Sequence, residues 1–577
     1  MRNSLFILSL LCLVTAPAIA SPLPESVSAA LKHAHIPLSS VSVVVQETGA
    51  SEPLVSLNAD RAINPASTMK LLTTIASLET LGPAYRWKTE AYLDGKLENG
   101  VLQGDLVFKG YGDPKLTVEQ FWMWLHELRQ RGLREIRGDI VLDHSFFSAM
   151  KEDPAKFDHD PTRAYNVGPN ALLLNFNALH LQLIPDGHAT TALLEPDLAG
   201  YTVVNRVTTS TRLHCGGRGD YKARLEGHSI VLEGKIPAGC GETDDYFSLL
   251  PQNEYFFAVF GALWKELGGT VQGGLREGLA PAGEAPFARY VSPPLAEVIR
   301  DINKFSNNTM ARQLFLTLGM AGQENDKVGS VLTANNKNSR DKYAVPQAFS
   351  EESLQARQEG GDAVGSELAI ASPSALPSGS LDTELTPSVG ISLLTPVKGA
   401  PPDTRPAGGL GAGADPPAAP ARGTPVGTPP LRVDPPAASI ARSIAVTQQW
   451  LATQHLNFPE LVVENGAGLS RKARISARHI AELLQRVMDS PFHAELEASL
   501  PILGVDGTVK KRFRDSDMAG YAHLKTGTLD GVKSIAGYVR AHDGKQWVVV
   551  FIVNNGNAAL AEPAQNALIE WLQQDAG

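Results

Sequence analysis

A chain of 577 residues is longer than one hydrophobic core organises and predicts two to four domains, while 43% hydrophobic residues is ordinary for a globular protein. The formal net charge of -10 at pH 7 argues against a non-specific nucleic-acid binder, which needs a basic surface to displace counterions from phosphate. No grouping of cysteines and histidines has zinc-like spacing, and His33 and His35 read as surface or cap residues, so neither a metal nor a cofactor is expected.

At the start, Arg2 precedes an apolar run from Leu5 to Val14 and a small-residue site, Ala18-Ile19-Ala20, before Ser21. This predicts a secretory signal peptide over residues 1–20 and a periplasmic mature protein. The run is too short to cross a bilayer as a helix, and no later stretch approaches the roughly 20 apolar residues that a span requires. Cys12 leaves with the signal. In an oxidising compartment the remaining pair, Cys215 and Cys240, favours a disulfide, with two buried free thiols as the alternative.

Val41 to Gln46 and Leu54 to Leu57 predict paired strands around a turn at Gly49. Asn64-Pro65-Ala66-Ser67 reads as a turn. From Thr68 to Leu81, Met69, Leu72, Ile75, Ala76 and Leu78 recur at helical spacing, which places Ser67 where a helix begins. Between Tyr92 and Phe257 short alternating segments and frequent Gly and Pro predict a largely β insertion, 92–257, of two nested subdomains, with a helix near Phe121 to Arg131. Helical patterns return at Leu295 to Ile302 and at Asn308 to Leu318.

From Gln323 to Ser439 the composition changes in kind. No aromatic residue stands between Phe349 and Trp450, and Pro, Gly, Ala and Ser dominate from Ala371 to Ala438. Such a stretch cannot bury enough apolar area to offset its conformational entropy, so 323–439 is expected to be a disordered insert. Beyond it come helices at Ile444 to Leu456 and Ile475 to Met488, strands at Ser534 to Val539 and Trp547 to Val553, and a helix from Leu560 to Gln573. The domain that holds Ser67 is therefore split, 21–91 and 258–577, with strands from both ends of the chain.

Three short motifs follow in order: Ser67-Thr68-Met69-Lys70, Ser306-Asn307-Asn308 and Lys525-Thr526-Gly527. Their chemistry suits acyl transfer. A serine hydroxyl is a weak nucleophile that needs a base in reach, and Lys70, three residues on, shares its helix face. A lysine in a desolvated, cation-lined pocket loses its proton more easily and becomes such a base. Ser306 and Asn308 supply a proton relay and an amide for a buried Lys70. On a strand edge, Lys525 and Thr526 offer a cation and a hydroxyl to a substrate carboxylate, while Gly527 permits close approach of a peptide backbone. Each motif alone is common; their order on helix, loop and strand gives the set its weight.

With these motifs the chain resembles the D-alanyl-D-alanine carboxypeptidases and endopeptidases among the class C low-molecular-mass penicillin-binding proteins, the penicillin-binding protein four type. Further matching segments are Gly104-Asp105-Leu106 with Gly112-Asp113-Pro114, Asn465 to Arg471, and Gly504-Val505-Asp506-Gly507-Thr508. The resemblance implies an α/β (α+β) penicillin-recognising serine transpeptidase/β-lactamase-like domain, an antiparallel sheet flanked by helices, with a large, mostly β insertion. It implies hydrolysis of D-alanyl bonds in peptidoglycan stem peptides through a Ser67 acyl-enzyme, with β-lactams as covalent inhibitors and with weak peripheral membrane association left open. Lys70 would be the base, Ser306 would pass a proton to the leaving amine, and Asn308 would hold Lys70 and a substrate amide. Lys525 and Thr526 would bind the terminal carboxylate, and the amides of Ser67 and Thr528 would form the oxyanion hole. The resemblance further implies a reader of the diaminopimelate side chain made of Asp143 and Arg471, with Phe147 a looser match. Asp530 stands where a neutral Gln is expected. A serine β-lactamase and a non-catalytic penicillin-recognising module are the rival readings; intact Ser67, Lys70, Ser306 and Lys525 argue against the second.

Overall fold

The computed structural model describes residues 23–150, 152–186, 189–211, 214–321 and 437–574. The expected signal peptide lies outside the described residues, as does the expected disordered insert apart from its last three positions. Those three have a defined place. Ala438 is fully buried and bridges to Phe147, and Ser439 caps the helix Ile440–Thr453 by accepting the Arg442 amide, so the boundary expected at 439 lies too far along the chain. Among the described residues no helix is long and apolar enough to cross a membrane.

Both ends of the chain build one antiparallel sheet. Its order is Ala522–Leu529, Val532–Arg540, Gln546–Asn554, Val41–Glu47 and Val55–Leu57, with Val41 opposite Val553 and Glu47 opposite Trp547. Side chains alternate across a strand, so a strand covered on both faces is apolar throughout. Val41, Val43, Val45, Val549, Phe551 and Val553 face the helices Glu25–His33 and Glu562–Gln574, where Leu31, Leu568 and Leu572 meet them. Val44, Val548, Val550 and Ile552 face the opposite layer, formed by Lys70–Leu81, Leu295–Lys304, Asn308–Leu318, Ile440–Thr453 and Ala477–Met488. The helix Glu25–His33 is an element that sequence periodicity did not mark.

The insertion is larger than 92–257. Its sheet begins with Lys88–Glu98 paired to Val101–Gly110 and closes with Ala288–Val291 on the far side of Lys88–Glu98. The helices Val118–Gln130 and Gln252–Glu266 pack on that sheet through Phe121, Trp124, Phe256, Phe260 and Trp264 around Phe108. Gln252–Glu266 thus belongs to the insertion, because its apolar face is buried there. Two three-stranded sheets extend the body, and Cys215 and Cys240 are joined by a disulfide within it.

The two bodies meet beside the helix Asn308–Leu318. Gln313 accepts the Asn170 amide at 3.0 Å, and Lys115 bridges Glu297 and Asp301 at 2.7 Å each.

Candidate active site

Ser67 lies in a 3-10 turn, Ala66–Met69, that runs directly into the helix Lys70–Leu81. The turn is clamped from behind. Asn64 exchanges backbone hydrogen bonds with the Asn554 side chain at 2.9 and 3.0 Å, and the Pro65 carbonyl accepts the Thr68 and Ser534 hydroxyls at 2.7 Å each. Ala66 is held in the left-handed region, φ 48°, an uncommon conformation that this bonding over-determines.

Lys70 is fully buried. Its Nζ lies 3.1 Å from Ser67 Oγ, 2.6 Å from Asn308 Oδ1 and 2.6 Å from the Ala467 carbonyl oxygen. Burial, then the nearby Lys525 and Arg312 cations, holds its pKa well below the ordinary lysine value. A neutral amine has two N–H donors and one lone pair. The two shorter contacts go to carbonyl oxygens, which only accept, and the third goes to a hydroxyl, which can donate. In its neutral form Lys70 would satisfy both carbonyls with its two N–H groups and leave its lone pair for the third contact, the Ser67 hydroxyl.

The second lysine is held by a different set. Lys525, also fully buried, donates to Ser306 Oγ at 2.9 Å and to the Thr526 carbonyl at 2.7 Å, and burial pushes its pKa down to about 7. Ser306, with φ 56°, occupies the bend between the helices Leu295–Lys304 and Asn308–Leu318, and Asn307 caps the second helix by accepting the Met310 amide. Strand Ala522–Leu529 stands at the end of the sheet order; Pro501 and Leu503 bond to the outer edge of its first half, at Leu524 and Ala522, which leaves the edge from Thr526 onward for an extended peptide. At Gly527 a Cβ would lie 2.8 Å from the Ser67 nitrogen and 2.3 Å from Ser534 Oγ, so the strand passes the nucleophile turn only where a side chain is absent. Thr528 follows, exposed.

Ser67, Lys70, Ser306, Asn308, Lys525, Thr526 and Gly527 are thus gathered in one cleft. Arg471 and Asp530 sit together on the surface: Arg471 Nη1 donates to the Asp530 carbonyl at 2.7 Å, its Nη2 is 4.0 Å from the carboxylate, and its guanidinium lies over the Phe157 ring at 5.0 Å. Asp143 and Phe147 do not line a reader. The Asp143 side chain has no exposed surface; Oδ1 accepts the Ser145 amide at 2.9 Å, Oδ2 accepts the Ala280 amide at 2.8 Å, and Lys109 Nζ lies 3.4 Å away. Burial opposes its ionisation, but the Ala280 and Ser145 bonds and the Lys109 charge prevail and keep its pKa below the usual value. Phe147 is packed against Ala171, Leu316 and Ala438.

Sequence reasoning missed three contributors. The Ala467 carbonyl is a backbone group with no residue-type signal, although its segment, Asn465 to Arg471, is among those that carry the family resemblance. Arg312 lies one helical turn beyond Asn308, buried, donating to the Val167 carbonyl at 3.0 Å and paired with Glu152 of the insertion. A cation four residues after Asn308 on an otherwise apolar stripe was the available signal. Phe157 had none.

The chain is similar to known proteins. The family described as D-Ala-D-Ala carboxypeptidase 3 (S13) matches residues 23–336 and 433–575. The D-alanyl-D-alanine carboxypeptidase of Actinomadura sp. (strain R39) is 23% identical over 96% of this chain and 85% of its own length. Among solved structures, penicillin binding protein 4 from Haemophilus influenzae superposes with a TM-score of 0.64 at 19% identity, covering 95% of this chain and 99% of that one. Its complex with a novel β-lactam gives a TM-score of 0.61 at 18% identity, covering 95% of this chain and 100% of that one. At these identities the structural likeness concerns the fold.

Proposed function

The chain belongs to the D-Ala-D-Ala carboxypeptidase 3 (S13) family and is a serine hydrolase of the penicillin-binding protein 4 type; from that premise we propose that it acts after export through a Ser67 acyl-enzyme, and that it opens D-alanyl-diaminopimelate cross-links as well as D-Ala-D-Ala ends. The observation that carries this reading is the buried Lys70 amine 3.1 Å from Ser67 Oγ, with both carbonyl contacts matched by N–H donors in its neutral form.

Lys70 takes the Ser67 proton as Oγ attacks the penultimate D-alanyl carbonyl carbon. The oxyanion lies between the Ser67 and Thr528 amides, where fixed donors meet the charge as it develops. Collapse breaks the C–N bond, and the leaving amine receives through Ser306, which the Lys525 ammonium polarises, the proton that Lys70 had taken, so that Lys70 is neutral again. Water then hydrolyses the ester, with Lys70 again accepting a proton. β-Lactams enter by the same attack, opening the ring and remaining as an ester on Ser67. Arg471, exposed beside the cleft and flanked by Phe157 and Asp530, is the charged group that meets the carboxylate of the diaminopimelate side chain; Asp530 adds a nearby negative charge for its ammonium.

Incubation with a disaccharide pentapeptide and with a D-alanyl-diaminopimelate cross-linked dimer tests the proposal. Release of free D-Ala from the first and of monomers from the second is expected. D-Ala release with an intact dimer would confine the enzyme to carboxypeptidase action, and rapid loss of a penicillin label without either product would make it a β-lactamase.

The depressed pKa of Lys525 carries a pH dependence. Its charge is present below about 7 and is lost as pH rises through that value, so carboxylate recognition weakens on the alkaline side. Because kcat/KM reports the free enzyme, it should fall above pH 7 with a limiting slope of about tenfold per pH unit. A bound carboxylate stabilises the ammonium, so kcat should fall later. A kcat/KM profile that stays flat from pH 7 to 9 would remove Lys525 as the charged anchor.

A further inference from the structure

The segment Gly504-Val505-Asp506-Gly507-Thr508 takes no part in the mechanism above, yet it is tied to both sides of the cleft. Asp506 Oδ1 accepts the Ile502 amide at 2.8 Å, and Oδ2 pairs at 2.7 Å with Lys304 Nζ, which also donates to the Leu500 carbonyl at 2.9 Å. Lys304 ends the helix immediately before Phe305 and Ser306, so the ion pair joins this loop to the segment that carries Ser306. Gly507, φ 60°, brings the chain so near the Lys304 carbonyl that a Cβ would lie 2.8 Å from it. The loop then delivers Thr508, exposed, with its Oγ1 2.7 Å from Thr526 Oγ1.

We propose that Thr508 is a substrate-positioning residue, whose hydroxyl joins that of Thr526 in a two-hydroxyl anchor for the terminal carboxylate of the D-alanyl peptide. The inference rests on the reading of Lys525 and Thr526 as the carboxylate site. Each hydroxyl has one proton, and a carboxylate only accepts. Once the hydroxyls are bonded to each other, one proton is committed between them and the other is left for the substrate. Thr526 Oγ1 donates to Thr508 Oγ1, so the Thr508 hydroxyl donates to the carboxylate while it accepts from its neighbour, which polarises it. A lone Thr526 hydroxyl has neither this polarisation nor a fixed rotor. Lys304 and Asp506 hold the second hydroxyl in place and couple its position to Ser306.

The test uses the full chain and two peptides that differ only at the end, D-Ala-D-Ala and D-Ala-D-alaninamide, on wild type, Thr508→Val, Thr508→Ser and Thr526→Val. Loss of a hydrogen bond to a charged group predicts that Thr508→Val lowers kcat/KM on the acid by about tenfold, mostly through KM. The loss on the amide should be about twofold or less, and Thr508→Ser, which restores the hydroxyl, should recover the acid activity. Equal losses on acid and amide, or a Ser variant as impaired as Val, would make Thr508 a packing residue and overturn the proposal. If Thr526→Val discriminates acid from amide while Thr508→Val does not, the proposal alone fails. If Thr526→Val lowers both peptides alike, the carboxylate-site reading fails, and the proposal falls with it.

Discussion

Replacing Ser67 by alanine is expected to lower D-Ala release by at least about 10⁴-fold and to abolish the penicillin adduct, since loss of the nucleophile removes the covalent route and leaves only binding and oxyanion stabilisation. The fold should survive. The turn that presents Ser67 is held by Asn64, Pro65, Thr68, Ser534 and Asn554, none of which bonds to the serine hydroxyl in the described contacts, and Lys70 keeps its Asn308 and Ala467 partners. Intact-mass analysis after penicillin treatment reads the result directly: one adduct mass on wild type, none on Ser67→Ala. An adduct that persists in the variant would place the nucleophile elsewhere.

The next largest effect is expected from Lys70→Arg. Arginine retains the positive charge but does not give up its proton in a protein, so it cannot take the serine proton. General-base catalysis contributes about 10²–10⁴-fold, and acylation by penicillin should fall within that range. Were Lys70 only a cation steadying Asn308 and the Ala467 carbonyl, the substitution would cost far less, because arginine keeps that charge across the pH range. Rates of acylation measured from pH 6 to 10 on both proteins distinguish the cases, and a variant within fivefold of wild type would end the general-base assignment.

Local pattern carried the elements whose burial repeats at short range. The spacing from Met69 to Leu78 placed the helix that follows Ser67, and the apolar run Trp547 to Val553 placed a strand covered on both faces. The limits of the insertion were harder to read. Gln252–Glu266 has the same helical pattern whichever body it packs on, and only contact with Phe108 and its neighbours assigns it. In the site, residues three apart were legible because a helical turn brings them together whatever surrounds it. The surroundings of Asp143 were not: an aspartate at the end of a strand engages its own backbone two residues on, here the Ser145 amide, while its other oxygen accepts the Ala280 amide from far along the chain. Ala467 contributes through a main-chain atom, which no reading of residue types reveals.

The pairing of Val41–Glu47 with Gln546–Asn554 sets an order on biogenesis. During synthesis the first strand of the sheet pairs early with Val55–Leu57 but waits for its other partner, which emerges some 500 residues later, and contacts this distant in sequence form late because the intervening loop must be closed first. The insertion, whose sheet and helices lie between residues 88 and 291, has its own core and can consolidate meanwhile. Val532–Arg540 and Ala522–Leu529 join the sheet through Gln546–Asn554, so Lys525 and Thr526 reach Ser67 only when that last strand docks. Nascent chains cut short before residue 546 therefore carry a finished insertion beside an unclosed sheet, and the hydrolase becomes competent only as its final strand is laid down.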